Sequence, residues 1–471
     1  MTARHRWFSL LAALSALALT ATFVPGQSAN AAPGDTHYGV VRDIYPGILG
    51  SFPFGLTVAG DKLFYSASHP AYGNELWMTT AGGTTKMVRN LVPDTDGFAG
   101  ASPKRLIAVG SRVFFMGNDA TQDSELYVSD GTAAGTRMVE ELNPFDDADI
   151  SEMTAVGDTL YFVLTDSIGV HSLWKSDGTP GGTHVVHPFH GLQDPRPQDL
   201  TEMGGLLYFT AFLDPPGPAA GRYLWRSDGT AAGTVPIKRQ NLVTQEMTSM
   251  GGKLYFSALV AGNPSDSELW TSDGTAAGTH LVRNINTTPG QGSDPKYLTP
   301  VGGNMLYFVA GDSSFDREVY RSDGTTAGTR RVRNIRSAGN SFASELTDVN
   351  GVLYFSAQGD DFRVELYRTD GTFAGTKRVT PAYPAGSTDP KELTALGDLL
   401  FYRAKINASQ DQLWVTDGTT GGTHAVGQVS ESSELSPGDL TAFNGDLYLR
   451  DSFDAADNPY GTELYKVTVE P

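Results

Sequence analysis

Short runs of apolar residues recur along this chain at a nearly constant distance from one another. A typical run, Leu254-Tyr255-Phe256, is followed by a polar loop and then by a second run, Glu268-Leu269-Trp270. An internal period of about 40–50 residues is typical of propellers and solenoid arrays. The aromatic residue of the second run recurs nine times, at Trp77, Tyr127, Trp174, Trp225, Trp270, Tyr320, Tyr367, Trp414 and Tyr465.

Each repeat contains four candidate strands. The two runs above are the second and third; the first resembles Leu298-Thr299-Pro300-Val301 and the fourth resembles Val282-Arg283-Asn284-Ile285. Because these segments are rich in β-branched and aromatic residues and are separated by Gly, Asp and Pro, they predict an all-β fold. Their apolar residues are consecutive rather than alternating, which indicates sheets buried on both faces. We therefore expect a β-propeller rather than a solenoid.

The two ends of the chain complement each other. Residues 38–44 form a fourth strand with no first three, whereas the last repeat stops after its third strand, Glu463-Leu464-Tyr465. Pairing the N-terminal strand with the C-terminal unit would complete the ninth repeat and remove two sheet edges. The sequence thus predicts nine four-stranded blades, with an eight-bladed ring and one irregular unit as the alternative.

The first 31 residues have the pattern of a secretion signal. Arg4 and Arg6 precede an apolar stretch, and a small-residue site predicts cleavage between Ala31 and Ala32. We expect the propeller to occupy residues 36–471 as one domain of repeats of about 47–50 residues. No second long apolar span follows, so we expect no membrane insertion after cleavage.

Composition narrows the classes of partner. The chain has no cysteine, which excludes disulfides and thiolate metal sites. Its formal net charge is −19, and without the two arginines of the first 31 residues it is −21. A surface this acidic repels nucleic acid and anionic membranes. We expect a monomer that binds an extracellular glycan or protein.

A Ser-Asp-Gly-Thr segment follows the third strand in most repeats. Asp-Gly favours a hairpin, because glycine accepts a positive φ and the aspartate can bind turn amides. Seven equal copies do not resemble a catalytic constellation, so we interpret these aspartates as structural turn residues and assign no catalytic residue. They are Asp130, Asp177, Asp228, Asp273, Asp323, Asp370 and Asp417.

With these repeats the chain resembles the bacterial secreted proteins of the ELWxxDGT repeat family over essentially all of residues 36–471. The match is weaker where the glutamate is replaced, at Ser172, Tyr223 and Gln412. The turn is also similar to the Asp-box of sialidase propellers. The resemblance implies a β-propeller and an extracellular address, but it implies no established reaction.

The variable loops indicate which face of the propeller is expected to bind a ligand. In a four-stranded meander, the 2–3 loops within blades and the 4–1 loops between blades leave on one face, called here the crossover face; the 1–2 and 3–4 turns leave on the opposite, hairpin face. The crossover loops differ from repeat to repeat, as binding loops on a rigid scaffold do. One of them carries Asp451, Asp454 and Asp457, oxygen-bearing residues that could hold Ca²⁺ as the only candidate cofactor.

Three functions follow from these observations. The first is a secreted, non-catalytic binding module for an extracellular carbohydrate or a cell-surface protein. The second is an extracellular polysaccharide lyase or hydrolase with its site on the crossover face, an analogy that rests on the fold alone. The third is a structural protein of an envelope or matrix. The sequence shows no serine-hydrolase, zinc-peptidase or phosphate-loop motif, yet a site assembled from separate loops would leave no linear motif.

Overall fold

The computed structural model describes residues 36–469 apart from 48, 94–99, 122, 143–147, 188–193, 214–220, 240–245, 260–265, 314–315, 380–386, 406–410, 427–436 and 453–460. The predicted signal segment, residues 1–31, lies outside this part. The described residues form strands and, as their one helical element, a 3-10 turn at Pro180–Gly182.

The strands follow the predicted four-per-repeat pattern. The first half of the chain contains β1 (Thr36–Arg42), β2 (Phe54–Ala59), β3 (Lys62–His69), β4 (Gly73–Thr80), β5 (Thr85–Met87), β6 (Lys104–Val109), β7 (Arg112–Asn118), β8 (Ser124–Ser129), β9 (Arg137–Glu140), β10 (Asp149–Val156), β11 (Thr159–Thr165), β12 (His171–Ser176), β13 (His184–Val185), β14 (Gln198–Met203), β15 (Leu206–Leu213), β16 (Gly221–Ser227) and β17 (Val235–Arg239). The second half contains β18 (Met247–Met250), β19 (Lys253–Leu259), β20 (Ser267–Ser272), β21 (His280–Arg283), β22 (Lys296–Val301), β23 (Met305–Ser313), β24 (Asp316–Ser322), β25 (Arg330–Arg331), β26 (Ser344–Val349), β27 (Val352–Gln358), β28 (Val364–Thr369), β29 (Lys377–Arg378), β30 (Lys391–Leu396), β31 (Leu399–Lys405), β32 (Asp411–Thr416), β33 (His424–Ala425), β34 (Gly438–Phe443), β35 (Asp446–Ser452) and β36 (Thr462–Val469).

These strands form nine antiparallel four-stranded sheets. Eight blades consist of four consecutive strands, from β2–β5 in blade 1 to β30–β33 in blade 8, and the ninth has the order β1-β36-β35-β34. The first strand of every blade packs against the first strand of the next, and β34 packs against β2. The fold is therefore a closed nine-bladed β-propeller, which confirms the nine-blade prediction over the eight-blade alternative.

The core lies between the blades. Leu254 and Phe256 of β19 pack in one cluster with Tyr208 of the preceding blade, whereas Tyr255, between them, packs with Phe308 of the following blade. Successive strand residues point to opposite sheet faces, so a strand with three consecutive apolar residues serves two cores. This explains why the repeats lack the alternation of a half-exposed sheet.

In the blades that retain it, the glutamate of the Glu-Leu-Trp/Tyr motif holds the crossover into the next blade. The Glu268 carboxylate is fully buried and accepts the backbone N–H groups of Ile285, Asn286 and Ser293 at 3.0–3.1 Å, together with the Ser293 hydroxyl at 2.6 Å. Glu75 accepts the N–H groups of its own crossover in the same way. The motif glutamate thus organises the chain that leads into the next blade.

The same contact closes the ring. β1 pairs antiparallel with β36 from Thr36 opposite Val469 to Arg42 opposite Leu464. Beyond β1, Glu463 accepts the backbone N–H groups of Tyr45 and Ser51, both at 3.0 Å, and the Ser51 hydroxyl at 2.5 Å. Strand and crossover from the N-terminal side are therefore both bound to the C-terminal unit, as the complementary ends predicted.

Replacing the closing glutamate should destabilise the whole ring. In Glu463→Leu the backbone N–H groups of Tyr45 and Ser51 lose their acceptor in a buried place, and each such loss costs about 1–3 kcal/mol. We expect the free energy of unfolding to fall by about 3 kcal/mol in denaturant titrations. The exposed control, Glu141→Leu, should change it by less than about 0.5 kcal/mol; a loss of that same small size in Glu463→Leu would contradict this account of closure.

Burial of the motif glutamates also predicts a pH dependence of stability. Burial raises the pKa of Glu75 and of Glu318 to about 7, against the lowering effect of the N–H groups that they accept. The folded chain therefore keeps protons that the unfolded chain has released, and the stability contributed below pH 4.5 is lost as the pH rises through 7. We expect unfolding curves recorded between pH 4.5 and 7.5 to show this decline, and the double variant Glu75→Gln/Glu318→Gln to show a smaller one. An equal slope in wild type and variant would contradict the assignment.

Candidate functional site

The seven Asp-Gly aspartates lie in the hairpins between third and fourth strands, on the hairpin face. In the Asp370 turn, Oδ1 accepts the Thr372 backbone N–H at 2.9 Å and the Thr372 hydroxyl at 2.7 Å, and that hydroxyl accepts the Gly375 N–H at 2.9 Å. A Cβ on Gly375 would overlap the Asp370 carboxylate. The same two bonds to the following threonine recur at Asp130, Asp177, Asp228, Asp273, Asp323 and Asp417.

The pKa shifts of these aspartates agree with a structural role within each turn. The hydroxyl and N–H of Thr372 lower the pKa of Asp370, because both groups donate to the ionised carboxylate. Every copy uses its aspartate in the same way and stands alone in its own blade. The arrangement can bind turn amides, but it brings no two of the seven carboxylates together as a pair for acid–base chemistry.

The candidate calcium residues are only partly described. Asp451 is buried at the end of β35 and accepts the Tyr38 hydroxyl, so its carboxylate belongs to the junction of β1 with blade 9. Asp454 and Asp457 lie outside the described residues. Within the described part of the chain no group of three or more His, Asp or Glu residues is arranged to hold a metal ion.

The crossover face carries most of the exposed apolar side chains in the described part of the chain. Eleven large apolar residues are exposed, and nine of them lie in 2–3 loops, in 4–1 loops or where these loops join a strand. The two others are Val185 and Phe373. The nine are Leu49, Phe52, Phe54, Tyr72, Ile168, Phe212, Tyr297, Phe342 and Phe362.

Two of these residues form an aromatic platform with an arginine, defined here as Phe342, Phe362 and Arg336. The guanidinium carbon of Arg336 lies 4.6 Å from the ring centroid of Phe362 and 6.0 Å from that of Phe342. The two rings are 67% and 62% exposed. Phe342 comes from the crossover into blade 7 and Phe362 from the 2–3 loop of that blade. The platform is thus an open apolar surface built around one cation.

Hydrogen bonds fix the position of the platform. The Arg336 guanidinium donates to the Gln358 side chain at 2.7 Å and to the Asn340 carbonyl at 3.1 Å. Beside it, the backbone N–H and hydroxyl of Ser337 donate to Asp360 at 2.7 and 2.9 Å, which joins the crossover to the 2–3 loop. A surface held in this way loses little conformational freedom when a ligand binds.

A ring of mainly acidic residues surrounds the central channel near the crossover face. In eight first strands, one residue sits in a β-bulge two positions before a threonine, or before Ile107 in blade 2, and the equivalent Glu246 directly precedes β18. Seven non-glycine members have φ between 51° and 59°, a region that is strained for such side chains. The nine positions are Gly55, Arg105, Glu152, Asp199, Glu246, Tyr297, Glu345, Glu392 and Asp439.

The carboxylates of this ring link neighbouring blades. Glu152 accepts the backbone N–H of Asp199 at 3.1 Å, and Glu345 accepts that of Glu392 at 2.9 Å. Glu246 binds Leu298 N–H in the same way. Burial, with the neighbouring Asp199 charge, raises the pKa of Glu152. These oxygens are used in structural contacts, and together they make the channel rim negative.

Sequence reasoning pointed to the crossover face but missed both of these features. The acidic ring around the channel had a signal in the sequence. An acidic residue stands two positions before threonine in six repeats, as in Glu345-Leu346-Thr347. The platform had none, because its three members are separated in sequence and occur in one repeat. Only the fold shows that the Arg336 crossover and the Phe362 loop meet.

Comparison with known proteins assigns the chain to no family. No protein-family model and no curated protein matches the chain. Among solved structures, a puromycin hydrolase S511A mutant complexed with PGG is 14% identical, with a TM-score of 0.42, over 87% of this chain and 61% of that one. One of two prolyl endopeptidases is 16% identical over 79% of this chain and 55% of its own, with a TM-score of 0.44.

A third similar structure is a propeller by itself. The β-propeller domain of the Trilobed protease from Pyrococcus furiosus is 12% identical, with a TM-score of 0.39, over 70% of this chain and 97% of that domain. The chain spans about 61% of the puromycin hydrolase that it matches. These values are too low to assign a reaction. Among the described residues, no helix is long and apolar enough to span a membrane.

The turn aspartates should matter for stability through their acceptor oxygen. In Asp370→Ala both bonds to Thr372 are lost, and we expect the free energy of unfolding to fall by about 1 kcal/mol. Asp370→Asn keeps an oxygen in place and should lose less. Thermal unfolding at pH 7 measures both. Equal losses in the two variants would contradict the role as a turn acceptor.

Acid should weaken the same turns. Because the pKa of Asp370 and of its six counterparts is lowered on folding, the stability that they contribute is present above pH 3.8 and is lost as the pH falls through the folded pKa. We expect Asp370→Ala to show a shallower acid decline than wild type between pH 4.5 and 2. An unchanged decline would contradict the role of this turn.

Proposed function

We propose that the chain is a secreted, non-catalytic binding module whose crossover face holds an extracellular glycan. The observation that carries this proposal is the aromatic platform, two exposed rings held around Arg336 on a rigid scaffold. Exposed aromatic rings offer flat apolar faces, and the apolar face of a sugar ring stacks on such a surface while its hydroxyl groups remain free for hydrogen bonds. Secretion rests on the sequence pattern of residues 1–31 alone.

The polar groups around the platform favour a ligand rich in hydroxyl groups. Asp360 and Ser337 lie beside Phe362 and Arg336, and their oxygens can accept or donate hydrogen bonds at the edge of a stacked ring. A strongly anionic polymer is disfavoured, because the nearby channel rim carries Glu345 and Glu392 and the chain has a net charge of −19. We therefore propose a neutral glycan.

Binding rather than cleavage is proposed because three of the channel carboxylates already accept hydrogen bonds from the next blade. Glycoside hydrolysis requires two carboxyl groups that flank the scissile bond. Glu152, Glu246 and Glu345 each use an oxygen to hold the next blade. A reaction would still reveal itself in the binding experiment as newly formed reducing or unsaturated sugar ends.

The platform supplies its own matched control on the opposite face. Phe373 is 66% exposed and lies 4.7 Å from the Arg333 guanidinium carbon, so it repeats the phenylalanine–arginine stack away from the crossover face. A loss of glycan binding specific to Phe342 and Phe362 would therefore separate the site from a general effect of exposed aromatic residues.

The test is a glycan array followed by calorimetric titration of the glycan that binds best. We expect Phe342→Ala and Phe362→Ala each to weaken binding about tenfold, the size of a central aromatic contact, with Phe373→Ala unchanged. Thermal unfolding should follow, since a ligand at a hundred times its Kd adds about 2.7 kcal/mol of stability to wild type. Binding that is equal in all three variants, or absent for every glycan, would contradict the proposal; release of sugar ends would replace it with an enzymatic function.

A further inference from the structure

On the hairpin face, one tyrosine–glycine contact recurs between neighbouring blades and fills the space between them. At five junctions, the tyrosine of the Leu-Tyr-Phe strand places its hydroxyl against the glycine of the next blade's Asp-Gly turn, so that a Cβ on that glycine would contact the hydroxyl. The pairs are Tyr161 with Gly229, Tyr208 with Gly274, Tyr255 with Gly324, Tyr307 with Gly371, and Tyr354 with Gly418.

The junction between blade 9 and blade 1 lacks this tyrosine–glycine contact. Tyr448 is the equivalent tyrosine of blade 9, but the turn of blade 1 lacks Asp-Gly and places Gly83 nearby. No atom lies within 4 Å of the position that a Cβ on Gly83 would occupy. A cavity of about 440 Å³ occupies this junction. We call it the seam cavity, because β1 and the C-terminal unit meet there.

The lining of the seam cavity combines apolar walls with hydrogen-bond donors. It includes Val41, the glycines Gly39 and Gly83, Thr468, and the side chains of Tyr448 and Lys466; the Val40 side chain packs on the other face of blade 9. Tyr448 is only 4% exposed, and no hydrogen-bond partner for its hydroxyl lies among the described residues. Because Tyr448 lines the cavity, its hydroxyl is available to a ligand there.

The charge of the lining is opposite to that of the protein. No aspartate or glutamate among the described residues lines the cavity, whereas Lys466 does, in a chain whose net charge is −19. Lys466 also faces Asp446, with 3.1 Å between Nζ and the carboxylate. An ammonium group has three donors, so it can bind Asp446 and still donate to a ligand. Burial raises the pKa of Tyr448, which keeps its hydroxyl a donor at neutral pH.

We propose that the seam cavity binds a small organic carboxylate. Its apolar body would lie against Val41 and the Tyr448 ring, while its carboxylate would accept from the Lys466 ammonium and the Tyr448 hydroxyl. The volume falls within the range of about 300–1,000 Å³ that is usual for small-molecule sites. The site lies on the hairpin face and does not depend on glycan binding at the crossover face.

The glycine in the wall allows the cavity to be filled without strain. Gly39 has no positive φ, and no atom lies within 4 Å of the position that a Cβ would take on it. Gly39→Val should therefore fold normally in β1 while occupying the ligand's place. Gly181 also has open space around it and lies in blade 3, which makes Gly181→Val the matched control. Thermal unfolding of both variants checks that the fold is intact.

The experiment is ligand-observed NMR and calorimetric titration of the full chain with benzoate, and with benzamide as its neutral counterpart. We expect wild type and Gly181→Val to bind benzoate with the same Kd, and Gly39→Val to bind it at least about tenfold more weakly, a difference of about 1.4 kcal/mol. Lys466→Met should remove the preference for benzoate over benzamide, and Tyr448→Phe should weaken binding of both.

Three results would overturn the proposal. They are no detectable benzoate binding to wild type, equal binding in Gly39→Val and wild type, and benzamide binding as tight as benzoate binding. If Gly39→Val did not fold, the Lys466→Met and Tyr448→Phe titrations would decide alone, because both side chains lie in the cavity wall and an unchanged Kd in both would place benzoate elsewhere.

Discussion

A buried carboxylate that accepts backbone N–H groups is the contact on which this ring depends. A propeller blade is stable only if the chain that leaves its outer strand returns to the centre and begins the next blade correctly. Glu268 achieves this by accepting three N–H groups of one crossover. Glu463 does the same for the segment after β1, so the rule that connects consecutive blades also connects the two ends of the chain. With no cysteine in the sequence, closure relies on such hydrogen bonds and on packing.

The two faces of the ring are built on different principles. The hairpin face repeats one hydrogen-bonded turn, in which an aspartate such as Asp370 is satisfied by its own threonine. The crossover face varies, and its exposed apolar residues, such as Phe342 and Phe362, belong to single blades. Function is expected where a repeat protein departs from its repeat. The seam cavity on the hairpin face also lies at a departure from the repeat, because blade 1 lacks the Asp-Gly turn there.

Much of the fold was predictable because repetition multiplies a weak signal. One Leu-Tyr-Phe run could be a strand or a buried helix segment, but nine at a constant period determine the strands, the blade number and the closure by residues 38–44. The site was less predictable for physical reasons. The cation–π contact of Arg336 with Phe362 depends on the relative height of two loops from different places in the sequence. The strained φ of Glu345 follows from a bulge in strand pairing, which no local propensity indicates. The seam cavity depends on the absence of an Asp-Gly turn in blade 1, where Gly83 leaves the space open.

The most direct test of the central claim is native-state hydrogen exchange of the Tyr45 and Ser51 backbone amides. Both lie outside strands, where amides usually exchange through small local fluctuations. If Glu463 binds them as part of ring closure, they should exchange with the same free energy as the amides of β36, that of global unfolding. Exchange of these two amides at a much lower free energy, while β36 stays protected, would show that the crossover opens independently and would contradict the account.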